Sequence, residues 1–314
     1  DRVSTLVFAD GGFSQYSTNY HRVLLDTLSQ VEFWRLELAQ PVFSDFFYSK
    51  ARAAIKWLLS IMNTESGHVI NLGANDGARL YSLSEGSYED FRPSVQLLSV
   101  LINDEKLFDE PHCDEPLVWL GLNDLQTISE AKSPSIVLRD SAIVAMRSVD
   151  FLAVVKLADR KFRPSQADCL HLDLFYRNKN LLRDAGSFSY HDKLWHHYFS
   201  GTASHNTIQF DEHDQMPRLS KFMFANWLKS SSADEIAVDE LGQAWNGAYV
   251  DSWGNCHRRA VRINNKELVV ADSIEGNFKT ARLRWRLSPG EWKLENNVVS
   301  MAGVTIEVTC EDQP

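Results

Sequence analysis

The segment 14–21, SQYSTNYH, carries a high density of groups that can transfer protons or hold a polar ligand. It places Tyr16, Asn19, Tyr20 and His21 directly after an Ala-Asp-Gly-Gly turn. A tyrosine hydroxyl stays protonated near neutral pH, yet it can release its proton when nearby cations or amide dipoles stabilise the phenolate. The segment is therefore a candidate source of a proton donor, although an aromatic such as Tyr16 just upstream of a helix is usually a packing residue.

A second group of candidates lies in the C-terminal half of the chain. Its polar members, on or beside predicted strands, are Gln166, Asp168, His171, Asp184, His205 and Asn206. Because side chains alternate between the two faces of a strand, His171 and Asp173 are expected on the same face. These groups could converge on one cleft, but histidines at strand ends are also often simply solvated, and the sequence leaves both interpretations open.

The elements that must position these groups change character near Lys132 to Pro134. Before this point, apolar residues recur at helical spacing behind Ser44 and Asp45, and DFRPSVQLLSVLIN forms a second amphipathic pattern. After it, segments such as DFLAVVKLAD and HRRAVRINNKELVVADS alternate like strands between turn signals. We predict an α+β multidomain protein, with helices over residues 1–132 and an antiparallel β-sandwich over residues 133–314.

Charge and composition argue against several classes of protein. The formal net charge of -10 disfavours a general nucleic-acid binder, because phosphate binding needs a positive field. No apolar run approaches the length of a membrane span. The cysteines lie far apart and show neither metal-ligand spacing nor a disulfide framework.

The GHVINLGANDG segment, residues 67–77, invites a different interpretation. An apolar run that enters a Gly-x-x-x-Gly loop is similar to the nucleotide-contacting turn of a doubly wound methyltransferase. That fold needs strands and helices in regular alternation. The next segment is another helical pattern and the rest is strand-like, so the sequence disfavours this alternative.

Four blocks, in this order, resemble the heparinase II/III-like polysaccharide lyases: DGGFSQYSTNYHRVLLD, LGANDG, QADCLHLDLFYRNKNLLRDAGSFSY and TASHNTIQFDEHDQMP. Together they extend over nearly the whole chain. The resemblance implies a partial (α/α) toroid of paired helices followed by an antiparallel β-sandwich. It also implies β-elimination on uronic-acid-containing polysaccharides. The alternative is a non-catalytic carbohydrate-binding or polysaccharide-assembly protein that retains the cleft, because fold does not fix function.

Elimination removes the proton on C5 of a uronate and protonates the oxygen that leaves C4. It therefore needs a proton acceptor, a proton donor and a group that neutralises the sugar carboxylate. The resemblance implies that Tyr20 is the general acid, with the base role open to the same residue. Asn19 and His21 flank it, and His21 is counted with Tyr20 among the predicted catalytic residues. Across the cleft, His205 and Asn206 match a His-Asn pair of the family, with His205 the better catalytic candidate.

The substrate-binding candidates lie on both sides of the expected cleft. Asn75 and Asp76 resemble an acidic loop of the family that lines the cleft, although a Gly-flanked Asn-Asp is also an ordinary turn. The remaining predicted contacts are Asn19, Arg163, Gln166, His171, Asn206 and His257. Arg163 is the first choice for a uronate carboxylate, because a guanidinium can grip it through two parallel hydrogen bonds.

Other basic residues could concentrate positive charge near an acidic polymer. The candidates are Arg22, Arg79 and the pair Arg258 and Arg259. Arg22 stands one helical turn before Asp26, so we expect the two side chains to form an ion pair.

The resemblance also bears on metal binding. Many relatives carry a His-x-His-Ala-Asp run whose first histidine takes part in proton transfer and whose second binds zinc with a downstream Asp and His. Here Pro164 and Gln166 stand at the two histidine positions, while Asp184 and His205 remain. One carboxylate, one imidazole and an amide make a poor zinc site. We expect no cofactor and no tightly bound zinc, with Asp184 and His205 a weak metal site at most; Asp184 would instead fix one tautomer of His205.

The expected partner is an acidic polysaccharide or oligosaccharide, and the resemblance favours a periplasmic or secreted protein. The helices are too few for a full toroid. Their apolar faces over residues 15–62 therefore predict a further N-terminal segment or a partner chain that covers the helical domain. The sequence leaves open which polysaccharide is bound and whether it is cut internally or from an end.

Overall fold

The computed structural model describes residues 2–122, 133–301 and 303–310. Lys132, at the predicted change from helices to strands, lies outside the described residues, and the division at 132 stays a prediction. The helices within the described ranges are α1 (Arg2–Leu6), α2 (Thr18–Glu37), α3 (Asp45–Ile61), α4 (Arg92–Asn103), α5 (Pro111–Trp119) and α6 (Lys193–Ser200).

Local signals explain where the two predicted helices begin and end. Ser44 is the N-cap of α3, where its side chain accepts a hydrogen bond from the backbone N–H of Phe47 at 3.4 Å. α4 carries Pro93 in its first turn, where the missing N–H has no helical partner to lose. It ends at Asp104, which adopts a left-handed conformation with φ of 56°.

The strands build two main antiparallel sheets. The first contains β1 (Ile136–Leu138), β2 (Ile143–Arg147), β3 (Phe151–Lys156), β4 (Leu172–Tyr176) and β5 (Lys179–Leu182), in that order. The second contains β9 (Ser230–Ala233), β10 (Ala237–Asp239), β11 (Gly242–Val250), β12 (Cys256–Ile263) and β13 (Leu268–Glu275). In the second sheet, β9 and β10 both pair with β11.

The remaining strands form smaller antiparallel units. These are β6 (Ile208–Phe210) with β14 (Ala281–Leu283), β7 (Arg218–Ser220) with β8 (Met223–Phe224), and β15 (Lys293–Glu295), β16 (Val298–Met301) and β17 (Val304–Glu307). The segment ARLRWRLS thus gives a strand of three residues. A short 3-10 helix, Thr202–Ser204, leads towards β6.

The first sheet is buried on both of its faces. One face packs with Leu25 of α2 and Leu58 of α3 in a single core, to which the sheet contributes Ile143, Ala145, Leu152, Val154 and Phe175. The opposite face packs against the second sheet in another core, which contains Val144, Met146, Ala153, Val155, Trp245, Tyr249, Val261 and Ile263. A helical layer, a central sheet and an outer sheet therefore lie on one another, which confirms the predicted helices followed by a β-sandwich.

The structure contains one helix, α6, in a segment where the sequence predicted none. Residues 193–200, KLWHHYFS, lie between predicted strands, yet they form α6, which Asp192 caps by accepting from the N–H of Trp195.

Residues 71–79 form no helix or strand, and the described strand pairs are all antiparallel, so the doubly wound alternative has no support. Within the described ranges, no helix has the length and apolar character that crossing a bilayer requires.

The packing of α3 on the central sheet gives a test of the layered core. Leu58 is fully buried in this interface, so Leu58→Ala should lower the free energy of unfolding by about 2 to 5 kcal/mol through lost contacts and a residual cavity. Leu194 on α6 is 73% exposed, and Leu194→Ala should change that free energy by no more than about 0.5 kcal/mol. Urea titration of both variants measures the difference, and equal losses would contradict the packing described here.

Candidate active site

The first turn of α2 is fixed to a loop that we call the site loop, residues 70–78. Ser17, the N-cap of α2, donates from its hydroxyl to the carbonyl of Ala74 at 2.7 Å. The hydroxyl of Thr18 donates to the carbonyl of Ile70 at 3.1 Å. These contacts satisfy backbone groups of a loop that has no secondary structure of its own.

Close backbone contact explains the first glycine of LGANDG. A Cβ on Gly73 would lie 2.0 Å from the carbonyl oxygen of Tyr16, and Gly73 also has a φ of +66°, so a larger residue there would displace the loop. Tyr16 is buried, and its hydroxyl accepts a hydrogen bond from the backbone N–H of Lys161 at 2.7 Å. Tyr16 therefore packs between the helical layer and the sandwich.

Tyr20 and Asp76 form the centre of a hydrogen-bond network at the surface. The Tyr20 hydroxyl donates to Asp76 Oδ2 at 2.5 Å, and Asn19 Nδ2 donates to Asp76 Oδ1 at 3.3 Å. The Tyr88 hydroxyl lies 2.6 Å from Asn19 Oδ1 and 2.8 Å from Asn75 Oδ1, and shares one proton between them. The network thus brings together predicted site residues from α2 and from the site loop.

The protonation state of Tyr20 is set by its acidic neighbour. The hydrogen bond to Asp76, with partial burial and the nearby Tyr190, raises the pKa of Tyr20 well above its ordinary value. Burial, with a contribution from Asp76, also raises the pKa of Tyr190. Tyr20 consequently remains protonated across the neutral range, and the same carboxylate makes it a weaker acid than a free phenol.

The side chain of Arg22 stabilises this network from the protein interior. It is buried, donates to the carbonyl of Tyr88 at 2.6 Å and to Asn19 Oδ1 at 3.2 Å, and lies over the rings of Tyr88 and Phe91. These contacts take the place of the expected side-chain pair with Asp26. Arg22 therefore orients Asn19 and is not available to a ligand.

The sandwich holds the site loop from its other side. Gln166 is buried; its Oε1 accepts from the N–H of Gly73 at 3.0 Å, and its Nε2 donates to the carbonyl of Phe199 at 3.5 Å. The backbone N–H of Asn75 donates to the Ser187 hydroxyl at 3.1 Å. The residue at the second histidine position of the family run thus binds loop backbone through its amide.

A fully buried cluster of charges lies behind these contacts. The Lys156 ammonium donates to the carbonyl of Asn71 at 2.9 Å and to Asp184 Oδ2 at 2.9 Å, and it lies 3.2 Å from Asp168 Oδ2. Arg160 donates to Asp168 Oδ1 at 2.5 Å. Asn71 Nδ2 also donates to Asp184 Oδ1 at 3.2 Å, so the cluster contacts the site loop twice.

The ions of this cluster keep one another charged. Burial alone would raise the pKa values of Asp168 and Asp184, but Arg160 and Lys156 hold the first, and Lys156 and His205 the second, below their ordinary values. Burial alone would lower the pKa of Lys156, and the neighbouring carboxylates raise it instead. The cluster is therefore a buried ionic network with strong internal compensation.

The two histidines of the cluster have different hydrogen-bond roles. His171 Nδ1 accepts from the N–H of Asn206 at 2.8 Å, so its Nε2 carries the proton and donates to Asp173 at 2.9 Å. This contact places His171 and Asp173 on one face, as the strand alternation predicts. His205 Nδ1 lies 2.8 Å from Asp184 Oδ2, while its buried Nε2 has no partner within the described residues.

The donor atoms do not fit a bound metal ion. One atom each from His171, Asp184 and His205 lies within 4.8 Å of the others, which adds His171 to the pair expected from the sequence. However, His171 uses both ring nitrogens in hydrogen bonds, and Asp184 Oδ2 accepts from Lys156 at 2.9 Å. A zinc ion needs three or four free electron-pair donors, and here a cation already lies against the carboxylate.

The structure brings some of the predicted site residues together and separates others. Asn19, Tyr20, Asn75 and Asp76 form the surface network, and Gln166, His171 and His205 lie in the layer beneath it. Asn206 is buried there too, where its amide donates to the carbonyl of Leu172 at 2.9 Å and its Oδ1 accepts from the N–H of Arg286 at 2.6 Å.

His21 points into the helical core. Its ring is fully buried, its Nε2 lies 2.9 Å from the carbonyl of Ala54, and it stacks on Trp57 with ring centroids 4.3 Å apart. None of these contacts is with another predicted site residue. Consecutive helix residues differ by about 100° in direction, so Tyr20 can face the cleft while His21 faces α3.

The basic residues of the sandwich also lie in different environments. His257 is buried and lies 2.8 Å from Asp272 Oδ1, and burial lowers the pKa of His257. Arg259 is buried and binds the same carboxylate, whereas Arg258 is exposed. Arg163 is exposed and has no ion pair among the residues that the structure describes.

Several residues of the site were not predicted from the sequence. Lys156 could have been found, because a lone lysine inside the apolar strand DFLAVVKLAD needs a buried counter-ion. Tyr88 and Tyr190 carry no comparable signal. Tyr190 also joins an exposed aromatic surface, the aromatic rim, which contains Phe188, Tyr190, Trp195, His196 and Phe222.

Comparison with protein families identifies one match. The family model described as "Heparinase II/III-like, C-terminal" matches residues 130–309, which is more than half of the chain. No curated protein matches the sequence.

Solved structures with the same fold include heparinases. A heparinase III gene product with methylated lysines has a TM-score of 0.69 and 16% identity, and covers 95% of this chain and 44% of its own. A mutant of the heparan sulfate lyase HepC from Pedobacter heparinus has a TM-score of 0.65 and 18% identity, with 95% and 44% coverage. Another heparinase III has a TM-score of 0.61 at 16% identity. The chain thus spans less than half the length of these proteins.

The burial of His21 predicts a pH dependence of stability. Burial lowers the pKa of His21 to about 4 from about 6.5, so the unfolded chain binds more protons between these values. The stability that neutral His21 contributes is therefore present above pH 6.5 and lost as the pH falls towards 4. Denaturant titrations at pH 7.5 and pH 5 should show that His21→Asn costs less stability at the lower pH.

The exposed His191 provides the matched control. His191→Asn should have little effect on the free energy of unfolding at either pH. A cost of His21→Asn that is the same at both pH values would contradict the neutral, buried state of His21.

Proposed function

The chain belongs to the heparinase II/III-like family, and we propose that it is a polysaccharide lyase that cleaves uronic-acid-containing polysaccharides by β-elimination, with Tyr20 as general acid. The observation that carries the proposal is the hydrogen bond of 2.5 Å from the Tyr20 hydroxyl to Asp76 at the protein surface. Because of this hydrogen bond, the Tyr20 phenol keeps its proton at neutral pH, and it lies at the surface, where a polymer can reach it. A periplasmic or secreted location belongs to the same proposal.

In the proposed reaction, the C5–H bond and the C4–O bond of the uronate break. A general base, to which the proposal assigns no residue, takes the C5 proton, and the electron pair of the C5–H bond forms the C4=C5 double bond. The C4–O pair leaves with the oxygen, which takes the proton of the Tyr20 hydroxyl, and solvent then reprotonates the Tyr20 phenolate. The raised pKa of Tyr20 favours the donor role over the base role, because little phenolate is present at neutral pH. We therefore assign only the acid step to Tyr20.

Asn75 is the proposed contact for the sugar carboxylate on the helical side. Its Oδ1 accepts from the N–H of Gly77 at 2.9 Å and lies beside the Tyr88 hydroxyl, whereas its Nδ2 has no partner within the described residues. This amide N–H can donate to a uronate oxygen next to Tyr20. The exposed Arg163 and the partly exposed Arg79 are the proposed sources of positive charge for an acidic polymer.

The aromatic rim extends the proposed binding surface beyond Tyr20. Tyr190 contacts the ring of Phe222 with centroids 5.5 Å apart, and Phe188 contacts Trp195 at 6.3 Å. Phe188, Trp195 and Phe222 are between 44% and 61% exposed. Exposed rings beside a polar site suit the apolar faces of sugar rings, which supports a carbohydrate ligand.

One observation favours the alternative, a non-catalytic carbohydrate-binding or polysaccharide-assembly protein. Pro164 and Gln166 stand where the family resemblance implies two histidines, the first of which takes part in proton transfer and the second of which binds zinc. A chain without these imidazoles could keep the cleft and lose turnover. Incubation with a panel of uronate polysaccharides separates the two functions, because only elimination gives an unsaturated product that absorbs in the ultraviolet.

Substitution of Tyr20 tests the proposed acid. Tyr20→Phe removes one hydroxyl and keeps the ring, so we expect turnover to be abolished while the affinity for substrate stays within a few fold. Tyr176→Phe, at a partly exposed tyrosine on β4, is the matched control and should leave turnover unchanged. Turnover is followed by ultraviolet absorbance and affinity by calorimetry; a Tyr20→Phe protein that still turns over would remove the assignment.

Binding of an acidic polymer should depend on Arg163 and on salt. Arg163→Lys keeps the charge but loses the paired hydrogen bonds, so affinity should fall by more than in the control Arg262→Lys, whose guanidinium pairs with Asp239. Affinity of the unmodified protein should also fall as ionic strength rises, because screening shortens the range of the attraction to about 8 Å at physiological salt. Indifference to both changes would point to a neutral glycan.

A further inference from the structure

The ammonium of Lys156 lies where the surrounding donor atoms would otherwise suit a metal ion. Lys156 ends β3 and is fully buried. Its nitrogen lies 2.9 Å from Asp184 Oδ2, the same oxygen that lies 2.8 Å from His205 Nδ1 and 3.7 Å from His171 Nε2. The Lys156 charge and the group of possible ligands therefore share one carboxylate oxygen.

The polar surroundings of the ammonium provide two hydrogen bonds and one further ion-pair contact. Asn71 and Asp184 accept hydrogen bonds, and Asp168 Oδ2 at 3.2 Å completes an ion-pair contact. Two buried carboxylates need a compensating cation, since an unpaired buried charge is strongly destabilising. A monovalent cation attached to the chain meets this need together with Arg160 on Asp168.

We propose that Lys156 is a built-in cation that takes the place of a metal ion in this cluster, so that the protein assembles the site without zinc. The charge of Lys156 opposes a second cation a few ångströms away, and the donor pattern of His171 leaves that ring no free electron pair. The inference rests on the contacts of the cluster and does not depend on the proposed elimination.

Metal analysis of the intact protein is the first test. Protein incubated with excess zinc and then desalted should contain far less than one zinc per chain by mass spectrometry. Its thermal midpoint should be unchanged by zinc or by a chelator, because a ligand that binds the folded state would raise it. Stoichiometric zinc in the unmodified protein, or a midpoint that the chelator lowers, would overturn the proposal.

Removal of the ammonium is the second test. Lys156→Ala exposes Asp184, His205 and Asp168 to a cation, so we expect zinc affinity to rise by about tenfold or more, as a single neighbouring charge commonly shifts ionic equilibria by that factor. Zinc should also raise the thermal midpoint of this variant. Lys50→Ala is the matched control, since that ammonium donates to the carbonyls of Val7 and Phe8, both at 2.9 Å, and lies over the ring of Phe46.

Each possible outcome of these two tests either supports the proposal or contradicts it. A folded Lys156→Ala protein with no more zinc affinity than Lys50→Ala would show that the cluster is not a masked metal site. If Lys156→Ala does not fold without zinc but folds with it, the proposal is supported. If it folds under neither condition, the zinc content and chelator response of the unmodified protein decide the question.

Discussion

A loop without secondary structure has to satisfy its backbone polar groups elsewhere, and this constraint organises the site. The site loop does so from two sides. The first turn of α2 binds the carbonyls of Ala74 and Ile70, while the sandwich binds the N–H of Gly73 through Gln166 and the carbonyl of Asn71 through Lys156. Because the same loop carries Asp76, the partner of Tyr20 is positioned by the helical layer and the sandwich together.

The partners of the carboxylates differ between the interior and the surface of the site. In the interior, Lys156 and Arg160 compensate Asp168 and Asp184 at close range, so those ions are held in one arrangement. At the surface, Asp76 is exposed and faces a phenol, not a cation. The shortest contact of this exposed carboxylate is therefore a hydrogen bond from a protonated tyrosine.

The sequence contained enough local information for the elements but less for the directions of side chains. The Ser44 start and the spacing behind it give α3, and the alternating segments give β2, β3, β12 and β13. The segment 193–200 was missed as a helix because its aromatic and histidine content is equally typical of a strand end.

Long-range partners explain what the sequence could not reveal about the site. Lys156 contacts Asn71 and Asp184, which are 85 and 28 positions away in the chain. Arg22 meets Tyr88 and not Asp26, because a distant loop offers its ring and carbonyl to the guanidinium. Elements such as α3 were therefore predictable from spacing along the chain, whereas the contacts of Lys156 and Arg22 with distant segments were not.

The central sheet is covered on both faces, and this determines how its backbone amides can become exposed to solvent. β3 pairs with strands on both edges and is covered by helices on one face and by the outer sheet on the other. Exposure of its amides to solvent requires both layers to separate, so these amides should exchange only through the largest openings of the molecule. The helical layer and the first sheet share one hydrophobic core, whose residues come from both sides of the change of pattern along the sequence.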